Sequence, residues 1–409
     1  MIGDGWDDTP SLRPDTTPSG DPSPARIAVV TGSRAEFGLL VPIMHAIAAN
    51  PSLQLLVIAA GSHLISPALT FREVKAAFPI ADTIPMQVAG RTGRAADVQA
   101  LAAGIARFGR SFESLQPHCV VVLGDRIEAF AAAAAAAIGG IPIAHIHGGD
   151  RAEGIADEAM RHAITKLSHL HFAATPTSAE RIIRMGERAD RVFVTGSPAV
   201  DGLSSIPELS DERWEKLGSP RIVILHHPVG RHAEAEEAAA ALIIDECSAA
   251  VGRDRLLILS PNHDPGRDGI LRAITEATKS TPPAHHQEHL PRIEFIGLLK
   301  RLARTPSHVG GLLVGNSSAG LIEAAVLGTR VVNIGPRQHG REHAANVRHA
   351  DETSHSIRSA ITTWLHDPTP TPLAVPHPYG TGNTGPAIAQ ALAAHNLAHA
   401  NLGRKLNTY

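Results

Sequence analysis

From Arg26 onward the chain alternates short aliphatic, β-branched runs with longer alanine-rich stretches of helical spacing. The runs at 27–31, 55–60, 120–124, 141–147, 170–174 and 192–196 carry apolar residues on both faces, which predicts buried parallel strands rather than half-exposed ones. Helical stretches at 38–50, 95–112 and 157–168 fall between them, and in the last Met160, Ala163, Ile164 and Leu167 make one apolar face. Strand–helix–strand alternation of this kind implies a parallel sheet covered by helices on both sides. The pattern breaks into a polar, proline-containing link near 202–220 and then restarts, with strands predicted at 222–226, 256–260, 293–297, 312–315 and 331–335. The expected architecture is therefore α/β, with two Rossmann-like domains facing a cleft. Residues 1–25, rich in Asp, Pro, Ser, Thr and Gly without apolar period, read as a disordered leader. The domains are expected at 26–205 and 206–366, and 367–409 reads as a proline-rich tail with a closing helix.

Composition narrows the field. The 409 residues are 43% hydrophobic and 19% charged, enough apolar surface for a core in each half. Lys plus Arg is 37 against 40 for Asp plus Glu, a net charge of −3, which offers no basic excess for nucleic acid or an acidic membrane. The longest uninterrupted apolar run, 129–138, is half the ~20 residues needed to span a bilayer, so no membrane partner is expected. The acidic first residues lack the basic start and apolar core of a signal peptide. Only Cys119 and Cys247 occur, both in apolar surroundings, which argues against a disulfide framework and for a reducing cytoplasm.

In open parallel sheets ligands bind beyond the carboxyl ends of the strands, so polar residues there weigh most. The first such place is Thr31-Gly32-Ser33-Arg34-Ala35-Glu36. Gly32 permits a tight turn and Arg34 either clamps a phosphate or is simply solvated. The stretch is no G-x-G-x-x-G fingerprint, so NAD is not indicated. Gly124-Asp125-Arg126 puts a carboxylate and a guanidinium side by side, for catalysis and phosphate binding, for pairing with each other, or for capping the next helix. His145-Ile146-His147-Gly148-Gly149-Asp150 follows, with Asp157, Glu158, Arg161 and His162 close behind. Strand alternation predicts His145 and His147 on one face. Asp157 and Glu158 begin a helix, either as functional acids or as residues that complement its dipole, with Asp157 one turn before Arg161. H-x-H with a nearby Asp is a possible zinc pair, but no further ligands are evident and no metal is assigned. Leu225-His226-His227-Pro228 offers a general base or phosphate contact, whereas His285, His286 and His289 read as a loop cluster without assigned role. The most specific feature is Gly315-Asn316-Ser317-Ser318-Ala319-Gly320 followed by Glu323. It is expected to open a helix with Leu321, Ile322, Ala325 and Val326 buried, making an anion site from N–H groups and serine hydroxyls, with Glu323 accepting ribose hydroxyls.

Taken in order, these stretches resemble the hydrolysing UDP-N-acetylglucosamine 2-epimerases over about residues 26–347. Besides the motifs above, the likeness rests on Gly61-Ser62-His63-Leu64, on the run from Arg161 to His169, on Arg337, Gln338, Gly340, Arg341 and Glu342, and on Pro378-Tyr379-Gly380. The resemblance implies a glycosyltransferase-B-like fold with the nucleotide sugar in the interdomain cleft. It implies elimination of the nucleoside diphosphate to a 2-acetamidoglucal, then hydration to a free N-acetylmannosamine-type sugar. It points to Asp125, Asp157 and His227 as catalytic, with Asp150 and Glu158 as further acid–base candidates. It points to Arg34, Arg126, Ser317, Ser318, Glu323 and Arg337 for the nucleotide and phosphates, and to His63, His147, Arg161, Asn262, Asp264 and Arg341 as cleft contacts. His147 stands where non-hydrolysing relatives carry Glu, and Asp150 ends a Gly-Gly-Asp that many relatives write Gly-Gly-Glu. No cofactor is implied, and the family commonly forms dimers or tetramers. A glycosyltransferase of the same fold and a non-catalytic nucleotide-sugar sensor are the alternatives. UDP versus GDP, and the decoration of the sugar, are left open by the residues.

Overall fold

The computed structural model describes residues 23–66, 70–91, 93–151, 158–262, 264–305, 311–367 and 376–395, with Leu397, Lys405 and Thr408 beyond them. The leader as far as residue 22, Asp157 and much of the tail thus lie outside the described residues.

Two all-parallel sheets carry the fold. The first comprises β1 (Ala25–Thr31), β2 (Leu53–Ala60), β3 (Ile80–Ile84), β4 (Cys119–Leu123), β5 (Ile143–Ile146), β6 (Leu170–Ala173) and β7 (Val192–Val194), in spatial order 3-2-1-4-5-6-7. The second comprises β8 (Ile222–Leu225), β9 (Leu256–Leu259), β10 (His285–Gln287), β11 (Leu312–Gly315), β12 (Arg330–Ile334) and β13 (Val347–Ala350), in order 10-9-8-11-12-13. The two Rossmann-like units of the expected α/β fold are present. Each sheet buries both faces: Ile27, Val29, Val57 and Val121 point into one core of the first unit and Ala28, Val30, Ile58 and Val122 into the other. Alternate residues of one strand feed opposite cores, which is why these strands read as continuous apolar runs. In both sheets the strand order reverses beside the first strand, between β1 and β4 and between β8 and β11. Those two switch points fix where a ligand can sit.

Three departures from the sequence reading have physical causes. The strand expected at 293–297 is a helix, Arg292–Arg304, whose Ile296, Leu299 and Leu302 are fully buried at helical spacing while Lys300 and Arg301 stay partly exposed. The histidine cluster at 285–289 contains a strand, β10, rather than only loop. β3, β10 and β13 escape the pattern because each is an edge strand with one side uncovered, where apolar and polar residues mix.

The last described helix returns to the first unit. Ile388, Ala389 and Leu392 of the helix Thr384–Ala394 enter the same core as Leu40, Ile43 and Ile47 of the helix Arg34–Ala49. Gly385 makes the approach possible, since a Cβ there would sit 2.6 Å from the Pro42 carbonyl oxygen. Asp201 caps that final helix, accepting from Thr384 N (3.0 Å) and Gly385 N (2.7 Å). Among the described residues no helix is long and apolar enough to cross a membrane.

Candidate active site

At the first switch point, Ser33 caps the helix Arg34–Ala49 while Glu36 folds back so that its Oε2 accepts from Gly32 N (3.0 Å) and Ser33 Oγ (3.3 Å). Glu128 enters beneath this turn, wholly buried, with Oε1 accepting from Gln87 Nε2 (2.6 Å) and Oε2 3.4 Å from Arg126 Nε. Only glycine fits above it: a Cβ on Gly32 would lie 2.5 Å from Glu128 Cβ. Burial, reinforced by the Glu128 charge, pushes the Glu36 carboxyl up to about 7. Arg34 reaches Glu73 (3.1 Å) and remains about one-third exposed. His63, expected as a cleft contact, has no exposed surface. It is wedged between the hydroxyls of Thr31 and Thr70, and burial drives it down to about 4. Both of its ring nitrogens are thus engaged within the first unit.

His145 is a buried strut, Nε2 donating to the Gly124 carbonyl (2.8 Å) and Nδ1 accepting from Thr165 Oγ1 (3.1 Å). His147 does not share its face as strand alternation predicted. β5 ends at Ile146, and His147 takes a left-handed φ of 64° that redirects its ring. That ring joins Asp150 Oδ2 at Nδ1 (2.8 Å) and Ser197 Oγ at Nε2 (3.0 Å). Asp150 is held on every side: Oδ1 accepts from Ser178 Oγ (2.8 Å), and Arg341 of the second unit approaches Oδ2 to 3.9 Å. Burial raises this carboxyl, but His147, Arg341 and Ser178 outweigh it and the net direction is down. Arg161, buried in the helix Glu158–Leu167, donates through Nη1 to the Asp150 carbonyl (2.9 Å) and through Nη2 to the Asp125 carboxylate. Asp125 keeps 16% of its side-chain surface. Glu158 lies 3.5 Å from His162 on its own helix.

The second wall grows from β8 and β11. Asn316, 1% exposed, clasps the His227 backbone with both ends of its amide: Oδ1 accepts from His227 N (2.7 Å) and Nδ2 donates to His227 O (2.8 Å). Its own carbonyl accepts from Arg337 Nη1 (3.1 Å) and Gln338 Nε2 (2.9 Å). Asn262 N donates to His227 Nδ1 (3.1 Å), which leaves the imidazole proton on Nε2. Burial, with Arg337 and His226 nearby, holds His227 well below its ordinary range and hence neutral. Asn262 also donates to Asp264, whose other oxygen lies 4.0 Å from Arg126 across the cleft.

Ser317 and Ser318 stand at the end of β11, half-buried, but they begin a single 3-10 turn, Ser318–Gly320, rather than the regular helix expected. The α-helix starts only at Glu323–Leu327. Residues 319–325 are buried throughout, so no polar face exists to pattern a longer amphipathic helix. Glu323 Oε1 accepts from Arg292 Nη1 (3.1 Å), while Arg292 Nη2 donates to Ala199 O in the first unit (2.6 Å). The carboxylate expected to meet ribose is thus partly engaged by an interdomain arginine. Arg341 Nε also donates to Arg151 O (3.4 Å). Beside it Glu342 accepts from the hydroxyls of Thr175 and Thr177 (3.0 Å for the latter).

Of the residues expected from sequence, Asp125, His147, Asp150, Arg161 and Arg341 join in one group, and Arg126, Asn262, His227 and Arg337 in a second, through Asp264 and Asn316, while His63 is fully buried beside the first switch point. Asn316, Ser197, Arg292 and Glu342 went unassigned. The polar Asn316 inside a strand-end Gly-Asn-Ser-Ser was a usable signal; the other three act through distant partners. Among the described residues no group of three or more His, Cys, Asp or Glu side chains is placed to hold a metal ion.

Comparison with known proteins gives a consistent placement. A family model described as UDP-N-acetylglucosamine 2-epimerase matches residues 45–393. The chain is 33% identical over 393 residues to the UDP-N,N'-diacetylbacillosamine 2-epimerase (hydrolyzing) of Legionella pneumophila, covering 94% of this chain and 99% of that one. It is 30% identical over 343 residues to a UDP-N-acetylglucosamine 2-epimerase of Neisseria meningitidis serogroup B, covering 82% and 86%. In fold it is similar to the solved UDP-GlcNAc 2-epimerase from Neisseria meningitidis bound to UDP-GlcNAc, with a TM-score of 0.73 at 18% identity over 90% of this chain and 100% of that one. The two-unit fold, the order of its motifs and these likenesses agree: the chain belongs to the UDP-N-acetylglucosamine 2-epimerase family.

Proposed function

We propose that the protein is a hydrolysing 2-epimerase, converting a UDP-linked 2-acetamido sugar and water into nucleoside diphosphate and the free C2-epimeric sugar. The observation that carries this reading is the Asp125–Arg161–Asp150 group at the ends of β4 and β5, beside which Arg126, next in the chain to Asp125, approaches to 4.0 Å the Asp264 of a second group in which Asn262 holds a neutral His227. The reaction needs a base for a weakly acidic C2–H and donors for a departing diphosphate, on opposite sides of one sugar.

Asp125, more exposed than Asp150, takes the C2 proton; Asp150, with both oxygens engaged, serves as a fixed anion that orients His147 and Arg341. Proton transfer by a positioned group contributes ~10²–10⁴-fold. As the C1–O bond breaks, its electron pair leaves with the diphosphate, which receives the His227 Nε2–H and the charges of Arg126 and Arg337. Ser317 and Ser318 bind phosphate and Glu323 the ribose, with Arg34 at the outer rim. Water then adds at C1 of the resulting glucal and a proton returns to C2 from the other face. Asp157 and Glu158 are the acids proposed for that second transfer. Assembly as a homodimer or homotetramer belongs to the same proposal, as does a cytoplasmic location, which the two buried free cysteines support.

The sugar is either N-acetylglucosamine or a 2,4-diacetamido sugar of the kind named in the Legionella relative. Incubation with each UDP sugar, without acceptor, is expected to release diphosphate and reducing sugar in equal amounts from one of them. A strict need for an acceptor sugar would overturn the reading in favour of a glycosyltransferase, and binding without turnover would favour a sensor.

A further inference from the structure

The loop after β12 also reaches the first unit through Glu342. Glu342 accepts from Thr175 Oγ1 and, at 3.0 Å, from Thr177 Oγ1, at the start of the nine-residue helix Pro176–Arg184. Thr175 is the N-cap of that helix, its Oγ1 accepting from Ser178 N (3.0 Å). Ser178 in turn donates to Asp150 Oδ1 (2.8 Å). One helix start therefore holds two carboxylates, Glu342 from the second unit and Asp150 from the first. The positive end of the helix dipole favours both. The attachment is braced from behind. Tyr379, 1% exposed, donates to the Glu342 carbonyl, and Gly340 lies so close to Arg151 that a Cβ would come within 3.1 Å of its side chain. Arg341, the neighbouring residue, faces Asp150 itself at 3.9 Å.

We propose that Glu342 is a positioning residue for the reaction: it latches the second unit onto the helix Pro176–Arg184 and thereby brings Arg341 and Ser178 into place on Asp150. The latch makes domain closure and the geometry of the Asp150–His147 pair one event. It rests on the epimerase reading for its consequence in turnover, whereas the latch itself is a contact that can be measured without substrate.

Two readouts test it. In Glu342→Gln the dissociation constant for UDP, whose proposed contacts are mainly on the second unit, is expected to change less than threefold. Turnover of the sugar nucleotide is expected to fall about ten- to a hundredfold, as for loss of a charged hydrogen bond. The acid limb of the kcat–pH profile moves upward, because Asp150 loses Arg341, and a merely structural defect would lower the profile without moving it. Adding Thr177→Ala to Glu342→Gln costs nothing further if the two share one contact. The second readout is the distance between spin labels at Glu180→Cys and Lys279→Cys, both exposed and one on each unit, with the native cysteines buried. The distribution is expected to broaden in Glu342→Gln. An unchanged distribution, or a kcat within twofold of wild type with an unmoved acid limb, overturns the proposal. Broadening in a protein whose parent shows no turnover would sustain the latch while refuting the epimerase reading.

Discussion

The two walls of the cleft are built from the same strand topology but opposite chemistry. The wall from β1, β4 and β5 is a network of buried charges: Glu36 with Glu128, Asp125 with Arg161, Asp150 with His147. The wall from β8 and β11 centres on a neutral imidazole fixed by amides and backbone groups, Asn262 and both ends of Asn316. A charged network can store and move protons, since small rearrangements change which group carries one. A neutral, rigid donor array suits an anion that must be held while charge develops and then released. On the reading proposed above, the proton chemistry falls to the first unit and most of the leaving-group contacts to the second, with Arg126 reaching over from the first.

The largest expected effect breaks the first wall. Asp125→Asn is expected to lower kcat by ~10²–10⁴-fold while UDP binding, measured calorimetrically, stays within a few fold. A loss of UDP affinity with kcat preserved would reverse the roles of the walls. Asn316→Ala comes next, removing both amide bonds to the His227 backbone. Turnover and UDP affinity should fall together by about ten- to a hundredfold, as expected for stranding buried polar groups. An effect on kcat alone would mean that His227 does not contact the diphosphate.

The smallest effect concerns stability and separates the walls by pH. Glu36 binds its proton more tightly folded than unfolded, so its favourable contribution is present at low pH and is lost as pH rises from 4.5 to about 7. Glu36→Gln keeps the acceptor for Gly32 N and removes the charge. It should raise the melting temperature by ~2–4 °C at pH 8 and by less at pH 5.5. An equal shift at both values would show that the buried pair does not titrate in this range.

Much of this was legible from sequence because interior parallel strands announce themselves. β4 and β11 are apolar on both faces, and their carboxyl ends deliver Asp125, Arg126, Ser317 and Ser318 to the switch points. What stayed hidden depends on conformation or on distance along the chain. His147 leaves the strand period through one left-handed residue. His63 has a polar residue's identity but a core residue's surroundings, which only its two threonine partners reveal. Glu342 finds Thr175 at a separation of 167 residues, beyond any local pattern. The helix Arg292–Arg304 is hidden in the sequence because a short window from Ile293 to Gly297 looks equally like a buried strand.

The most direct test of the central claim, that C2 is deprotonated and then reprotonated as the diphosphate leaves, is a ¹H NMR time course in D₂O with the accepted UDP sugar. The account predicts that the free sugar appears as the C2 epimer with deuterium at C2, in step with UDP. Release of UDP with an unepimerised sugar that keeps its C2 proton would contradict it, because that outcome is simple hydrolysis at C1.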